Sequence, residues 1–196
     1  MKTSARIAVV LIFAISLSAL LSADQSRRDR RHQPEKLMDL TGVQPGMIVG
    51  EAGAGEGYLT FFLSRRVGEK GRVYANDIDA DALRRLNERR EREGVDNITT
   101  VLGEVDDPRF PVNDLDFVTM IFAFHDFTEK AAWLRNVKKY MKRDAAVFIF
   151  DAQDHHTGMT REMMAGVAEE SGFVLTRHEH LHGDLWIYEL RRKDVS

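Results

Sequence analysis

Two hydrophobic periods alternate along this chain. Short apolar runs of strand length fall at Met47–Ala52, Arg72–Ala75, Ile98–Leu102, Phe117–Phe122 and Ala145–Phe150. Between them, apolar residues recur three and four positions apart, the spacing of a helix that buries one face. Tyr58–Val67 carries Leu59, Phe62, Leu63 and Arg66 on that spacing. Asp79–Glu93 turns Leu83 and Leu86 inward and alternates Arg and Glu outward, with Asp79 as its N-cap and Gly94 as its stop. Thr128 is placed to cap a helix running to about Met141, with Leu134, Val137 and Met141 inside. Pro34–Leu40, with proline in its first turn, and Thr160–Ser171, ended by Gly172, complete the predicted helices.

Strands alternating with helices predict an α/β fold with a doubly wound, mostly parallel, seven-stranded sheet. Ala145–Phe150 is almost continuously apolar, as in a strand covered on both faces. The last two strands, Phe173–His180 and Leu185–Arg191, are separated by a short His-Gly-Asp turn. That leaves no room for a helical crossover, so they should pair antiparallel.

The N-terminus breaks this pattern. Lys2 and Arg6 precede an uncharged run from Ile7 to Ala23, which ends in small residues. This is the layout of a secretory signal peptide, cleaved after about residue 23, and implies a periplasmic or secreted domain. The alternative is an uncleaved anchor. Arg27, Arg28, Arg30 and Arg31 follow the run and would hold the domain on the cytoplasmic side. The expected organisation is 1–23 signal or anchor, 24–33 basic linker, and 34–196 one domain.

Composition narrows the chemistry. The 196 residues include no cysteine, which excludes disulfides, thiolate metal sites and a cysteine nucleophile. A formal net charge of −3 argues against a broadly basic nucleic-acid binder.

The most informative segment is Glu51-Ala52-Gly53-Ala54-Gly55-Glu56-Gly57-Tyr58, where the first strand turns into a helix. Glycines there let the backbone turn sharply and approach a ligand. A dinucleotide fingerprint needs its third glycine or alanine where Tyr58 stands, which disfavours a nicotinamide oxidoreductase. No Lys-Ser/Thr pair follows, so a nucleotide-triphosphate loop is excluded too. Asp77, at the end of the second strand, is placed to accept both hydroxyls of a ribose, because Asp79 caps the next helix and leaves it free.

These residues resemble the class I S-adenosylmethionine-dependent methyltransferases. Glu51–Gly57 is similar to the family's first motif and Val73–Ile78 to its second. Gly103-Glu104-Val105 followed by Pro111 is similar to its adenine loop, and Asp116-Phe117-Val118 opens a strand like its fourth motif. The resemblance covers the chain from about Pro34 onward. It implies S-adenosylmethionine as cofactor. Glu51 would interact with the methionine part and the Gly53 and Gly55 backbone would line it. Asp77 would hold the ribose, Ile78 would lie against the adenine, Glu104 would accept from its amino group, and the Val105 amide would donate to a ring nitrogen.

Ligands of such sheets sit outside the carboxyl ends of the strands. After strand four comes Ala123-Phe124-His125-Asp126-Phe127, where His125 is the candidate base or acceptor-orienting group. After strand five, Asp151 and Asp154 could line the acceptor pocket or ligate Mg²⁺, a weaker reading. His178, His180 and His182 share one face of an extended strand. They read more simply as an exposed edge than as a zinc or nickel site. The resemblance implies an enzyme that methylates a small or exposed acceptor. A non-catalytic S-adenosylmethionine-binding protein is the alternative.

Overall fold

The computed structural model describes residues 26–153 and 159–193. The leader and Asp154 lie outside the described residues. The chain divides into two compact units, Met1–Lys36 and Leu37–Ser196. In the first, residues 26–32 are helical. Among the described residues, no helix is long and apolar enough to cross a membrane.

Helix α1 (Pro34–Thr41) is followed by β1 (Ile48–Ala52), α2 (Thr60–Val67), β2 (Arg72–Asp77), α3 (Ala80–Glu93), β3 (Ile98–Leu102) and β4 (Leu115–Ile121). A single 3-10 turn, Phe124–Asp126, then precedes α4 (Lys130–Val137), β5 (Met141–Ala152), α5 (Arg161–Glu170), β6 (Phe173–His182) and β7 (Leu185–Arg192). The sheet has seven strands in the order β3-β2-β1-β4-β5-β7-β6. Strand β7 runs antiparallel to both of its neighbours, and the remaining pairs are parallel.

Helices cover both faces. Phe61, Leu63 and Val67 of α2, Leu86 of α3, and Leu37 and Met38 of α1 pack with Val49, Val73, Phe117 and Phe148 on one side. On the other, Trp133, Leu134 and Val137 of α4 and Met164 and Ala168 of α5 pack with Val118, Met120, Val147 and Ile149. Neighbouring residues of β4 and β5 thus feed opposite cores, which is why these strands are apolar at nearly every position.

Local signals account for most helix ends. Asp79 accepts from the Asp81 and Ala82 amides at 2.8 and 3.1 Å, and Gly94 closes α3 in the left-handed region. Thr128, in contrast, does not cap α4. The helix begins at Lys130 after Glu129, and no side chain caps it. The Lys130 ammonium bonds the carbonyls of His125 and Phe127, and Phe127 is extended. The chain is therefore held out of helix until Lys130. Nor does α4 reach Met141. It ends at Val137, tightens into a 3-10 turn at Lys138–Tyr140, and Met141 opens β5.

Candidate functional site

The carboxyl ends of β1, β2, β3, β4 and β5 open on one edge of the sheet, and the sequence-predicted residues gather there. At the end of β1, Glu51 is 2% exposed. The Thr60 hydroxyl donates to its Oε2 at 2.5 Å. Burial pushes the Glu51 carboxyl up to about 8; the Thr60 hydrogen bond opposes the rise and the nearby Asp77 charge adds to it.

The glycine loop is shaped by close approach. Gly53 has φ +66°, and a Cβ there would overlap the Ala123 Cβ. Phe122, just past β4 and next to Ala123 in the chain, takes φ +46°. That strained turn presses Ala123 onto the loop, in a conformation a non-glycine residue adopts only when its surroundings impose it. Gly57 has φ +87°, and a Cβ there would stand 3.0 and 3.1 Å from the side chains of Leu86 and Phe61. It performs the close packing of loop, helix and strand that a later third glycine performs in dinucleotide sites.

Asp77 is not free as expected. Its Oδ2 accepts from the Gly55 amide at 2.8 Å and its Oδ1 from the Asp79 amide at 2.9 Å. It clasps the glycine loop to the start of α3 while each oxygen keeps a further lone pair for a ligand. Its neighbour Asn76 was missed by the sequence reading. Buried Asn76 donates from Nδ2 to the carbonyls of Val101 (3.2 Å) and Pro108 (2.9 Å), and so ties β2 to the loop after β3. That loop is pinned again by Asp107, which accepts from the Tyr140 hydroxyl at 2.7 Å and from the Arg109 amide at 2.9 Å. Burial, followed by the Asp107 contact, pushes the Tyr140 hydroxyl up to about 12.

Between these parts lies a cavity of about 310 Å³, lined by Asp77, Ile78, Val105, Phe127, Thr128 and Trp133 among others. Ile78 and Val105 are 59% and 51% exposed. Glu104 also lines it, with its carboxylate held by Arg109 Nη2 at 2.6 Å.

On the β4–β5 side, His125 and Asp151 meet. The His125 Nδ1 stands 2.8 Å from Asp151 Oδ1, and the His125 amide donates to Asp151 Oδ2 at 3.0 Å. The Ala152 amide also donates to Oδ1, at 2.9 Å. Asp151 lies within β5, not after it, and its oxygens are used by these donors. The histidines of β6 do not converge. His178 stacks on Trp186 at 4.7 Å and bonds Gln153, His180 bonds the Gly183 carbonyl, and a register shift falls between His180 and His182.

The sheet order, the glycine loop at the first strand and a cavity at the strand ends define the fold of the class I S-adenosylmethionine-dependent methyltransferases. Residues 49–144 match a family described as a methyltransferase domain. A SAM-dependent methyltransferase from Aquifex aeolicus superposes with a TM-score of 0.71 at 27% identity, over 80% of this chain and 88% of that one. The YcgJ protein of Bacillus subtilis shares the fold, with a TM-score of 0.68 at 12% identity, over 84% of this chain and all of the other. The ubiquinone/menaquinone biosynthesis C-methyltransferase UbiE of Shewanella sp. (strain ANA-3) is 31% identical over 115 residues, 58% of this chain and 46% of that protein. The chain thus matches about half the length of such curated relatives. Residues 49–144 are thus similar to a methyltransferase domain, on the fold of the methyltransferases whose cofactor is S-adenosylmethionine.

The residues fit that cofactor. Two large apolar side chains, Ile78 and Val105, stand exposed at the cavity, where a flat aromatic base would cover them. Asp77 offers acceptors beside them. The positive φ of Gly53 and Gly55 leaves the loop without side chains where backbone must line a ligand. The Val105 amide makes no hydrogen bond among the described residues.

Proposed function

We propose that this chain transfers a methyl group from S-adenosylmethionine to a small acceptor, and that Glu51, Gly53, Gly55, Asp77, Ile78, Glu104 and Val105 hold the cofactor. The observation that carries this is the convergence of Asp77, Ile78 and Val105 on one cavity from the ends of two strands. Asp77 accepts from the ribose hydroxyls, and Ile78 and Val105 flank the adenine. The Val105 amide donates to a ring nitrogen. Glu104 accepts from the adenine amino group by swinging away from Arg109; that exposed ion pair is worth under about 1 kcal/mol and yields readily. Glu51 balances the positive charge of the methionine part.

Bound S-adenosylmethionine would supply a methyl carbon activated by its sulfonium: the acceptor's electron pair would form the new bond as the carbon–sulfur bond breaks in line, its electrons leaving with the sulfur as a neutral thioether. The chain's own share is alignment and, for an acceptor that must lose a proton, a base. His125 is that base, on the β4–β5 side of the cavity. Calorimetry of the full chain with S-adenosylmethionine tests the reading: one-site binding supports it, and absence of binding refutes it.

Residues 1–23 are proposed as an export segment that leaves the domain periplasmic or secreted. The competing reading keeps the domain cytoplasmic on a membrane anchor. Sequencing the N-terminus of protein from membrane and soluble fractions distinguishes them.

A further inference from the structure

We propose that Asp151 is a positioning residue that holds the His125 imidazole in its Nδ1–H form, leaving Nε2 to take a proton from the acceptor. The inference rests on the methyltransferase reading above and names which acceptors that site takes: those whose reacting group bears a removable proton.

Three donors converge on one buried carboxylate. Asp151 is wholly buried, and it receives the His125 amide, the Ala152 amide and the His125 ring. A carboxylate accepts and does not donate. At 2.8 Å from Oδ1, Nδ1 must therefore carry the hydrogen, since two facing lone pairs at that distance would repel. In a neutral imidazole the other nitrogen is then the bare one. The amide contact matters as much as the ring contact. Both the backbone amide and the ring of His125 are tied to the same side chain, so one carboxylate fixes the turn and the ring together.

The turn is braced from a third side. The Lys130 ammonium donates to the His125 carbonyl at 2.9 Å and to the Phe127 carbonyl at 2.5 Å. Burial lowers the Lys130 pKa, and the charges of Asp151 and Asp126 pull it the other way. Among the described residues, the charged and titratable groups that act on the His125–Asp151 pair are Asp126 on the same turn, Lys130 from α4 and Tyr188 from β7. Asp126 lies 3.4 Å from Nε2 and is highly exposed. The Tyr188 hydroxyl donates to the Met159 carbonyl and so does not compete for Asp151.

Position agrees with this role. Ala123 and Asp126, two residues before and one after His125, line the cofactor cavity, whereas His125 directs its ring to β5. Asp151 pairs with Trp186 across β7, so the half-buried indole shares the sheet face from which Asp151 reaches His125. The base thus sits beside two cavity-lining residues at the β4–β5 end, with β1 between it and the β2 and β3 ends that carry Asp77, Ile78 and Val105.

The step balances simply. The bond between hydrogen and the acceptor's reacting atom breaks, its electron pair stays on that atom as the nucleophile, and the proton binds the Nε2 lone pair. The charge gained by the ring is met by Asp151. Nothing is oxidised or reduced.

Nitrogen-15 NMR of the full chain tests this directly, with the His125 signals assigned by their loss in His125→Gln. The neutral ring is expected with hydrogen on Nδ1 and a bare Nε2. In Asp151→Asn, the introduced amide donates to Nδ1 and the hydrogen moves to Nε2; a misplaced tautomer of this kind disables catalytic histidines elsewhere. Diethyl pyrocarbonate, which attacks bare imidazole nitrogen, should modify His125 at least tenfold more slowly in Asp151→Asn, read by peptide mass spectrometry. S-adenosylmethionine affinity should stay within threefold, because neither residue touches the adenine side. A wild-type ring with hydrogen on Nε2 overturns the proposal, as does an unchanged tautomer and reactivity in the variant. Should Asp151→Asn not fold, the wild-type tautomer alone decides. Failure of the wild-type chain to bind S-adenosylmethionine would instead overturn the proposed function and leave the tautomer result standing.

Discussion

Glu51→Gln should remove a large pH dependence of stability. The Glu51 carboxyl is raised from an ordinary 4.5 to about 8 in the folded chain, chiefly by burial. The folded state therefore keeps its proton where the unfolded state has lost it. The stabilisation is full below about pH 4.5 and is lost progressively as pH rises to about 8. Each unit is worth about 1.4 kcal/mol, so about 3 kcal/mol is gone by pH 7 and about 5 kcal/mol at the upper end. For a domain whose whole stability is about 5–15 kcal/mol, that is a large share. Glutamine has the same shape and its carbonyl can accept the Thr60 hydroxyl, but its amide adds a buried donor at a cost of about 1–3 kcal/mol. The variant should thus be the less stable protein at pH 5 and equal or better at pH 8. Urea unfolding of both proteins across that range is the assay. With a slope of about 1–3 kcal/mol per molar urea, the difference between their midpoints should change by about 1 M or more. Two curves that stay parallel from pH 5 to 8 would refute the assignment of a buried, protonated Glu51.

The same carboxyl makes ligand binding proton-linked: a cationic ligand beside Glu51 draws off its proton, so calorimetry near pH 7 in buffers of different ionisation enthalpy should show proton release, absent in Glu51→Gln. Asp77→Ala should weaken S-adenosylmethionine binding by about 2 kcal/mol, through lost hydrogen bonds to a buried ribose; an unchanged affinity would exclude Asp77 from the ribose site. Gly53→Ala should destabilise the fold by at least about 1–2 kcal/mol, because its φ of +66° is costly for alanine and its Cβ meets Ala123. Chemical denaturation reads the first effect, and lost cofactor binding reads the second. Asn76→Ala leaves the carbonyls of Val101 and Pro108 without their donor, so hydrogen exchange in residues 103–108 should accelerate while β5 and β7 stay protected.

Short-range physics was legible in the sequence. Periodicity placed the strands and helices within a few residues, because each pattern reports which face of a local segment is buried. The Asp79 cap and the Gly94 stop were legible for the same reason: each bonds or bends backbone within its own turn. The short link between β6 and β7 left antiparallel pairing as the only geometry, as found. Glu51, Gly53, Gly55, Asp77, Ile78, Glu104 and Val105 could be selected because their spacing resembles a known motif.

What the tertiary structure decided were interactions between distant segments. Thr128 lost its capping role to Lys130, whose ammonium holds two carbonyls of the preceding turn. Asn76 showed no sequence signal, since its partners lie 25 and 32 positions away. Asp77 proved to be a clasp as well as a candidate ligand. Most of all, the sequence offered His125 and Asp151 as separate loop residues, and the fold joined them. They are 26 positions apart, His125 on the turn after β4 and Asp151 near the end of the adjacent parallel β5. A sequence pattern records which faces are buried. It does not record which buried groups then face each other, and a histidine and the buried carboxylate it meets are matched only across that distance.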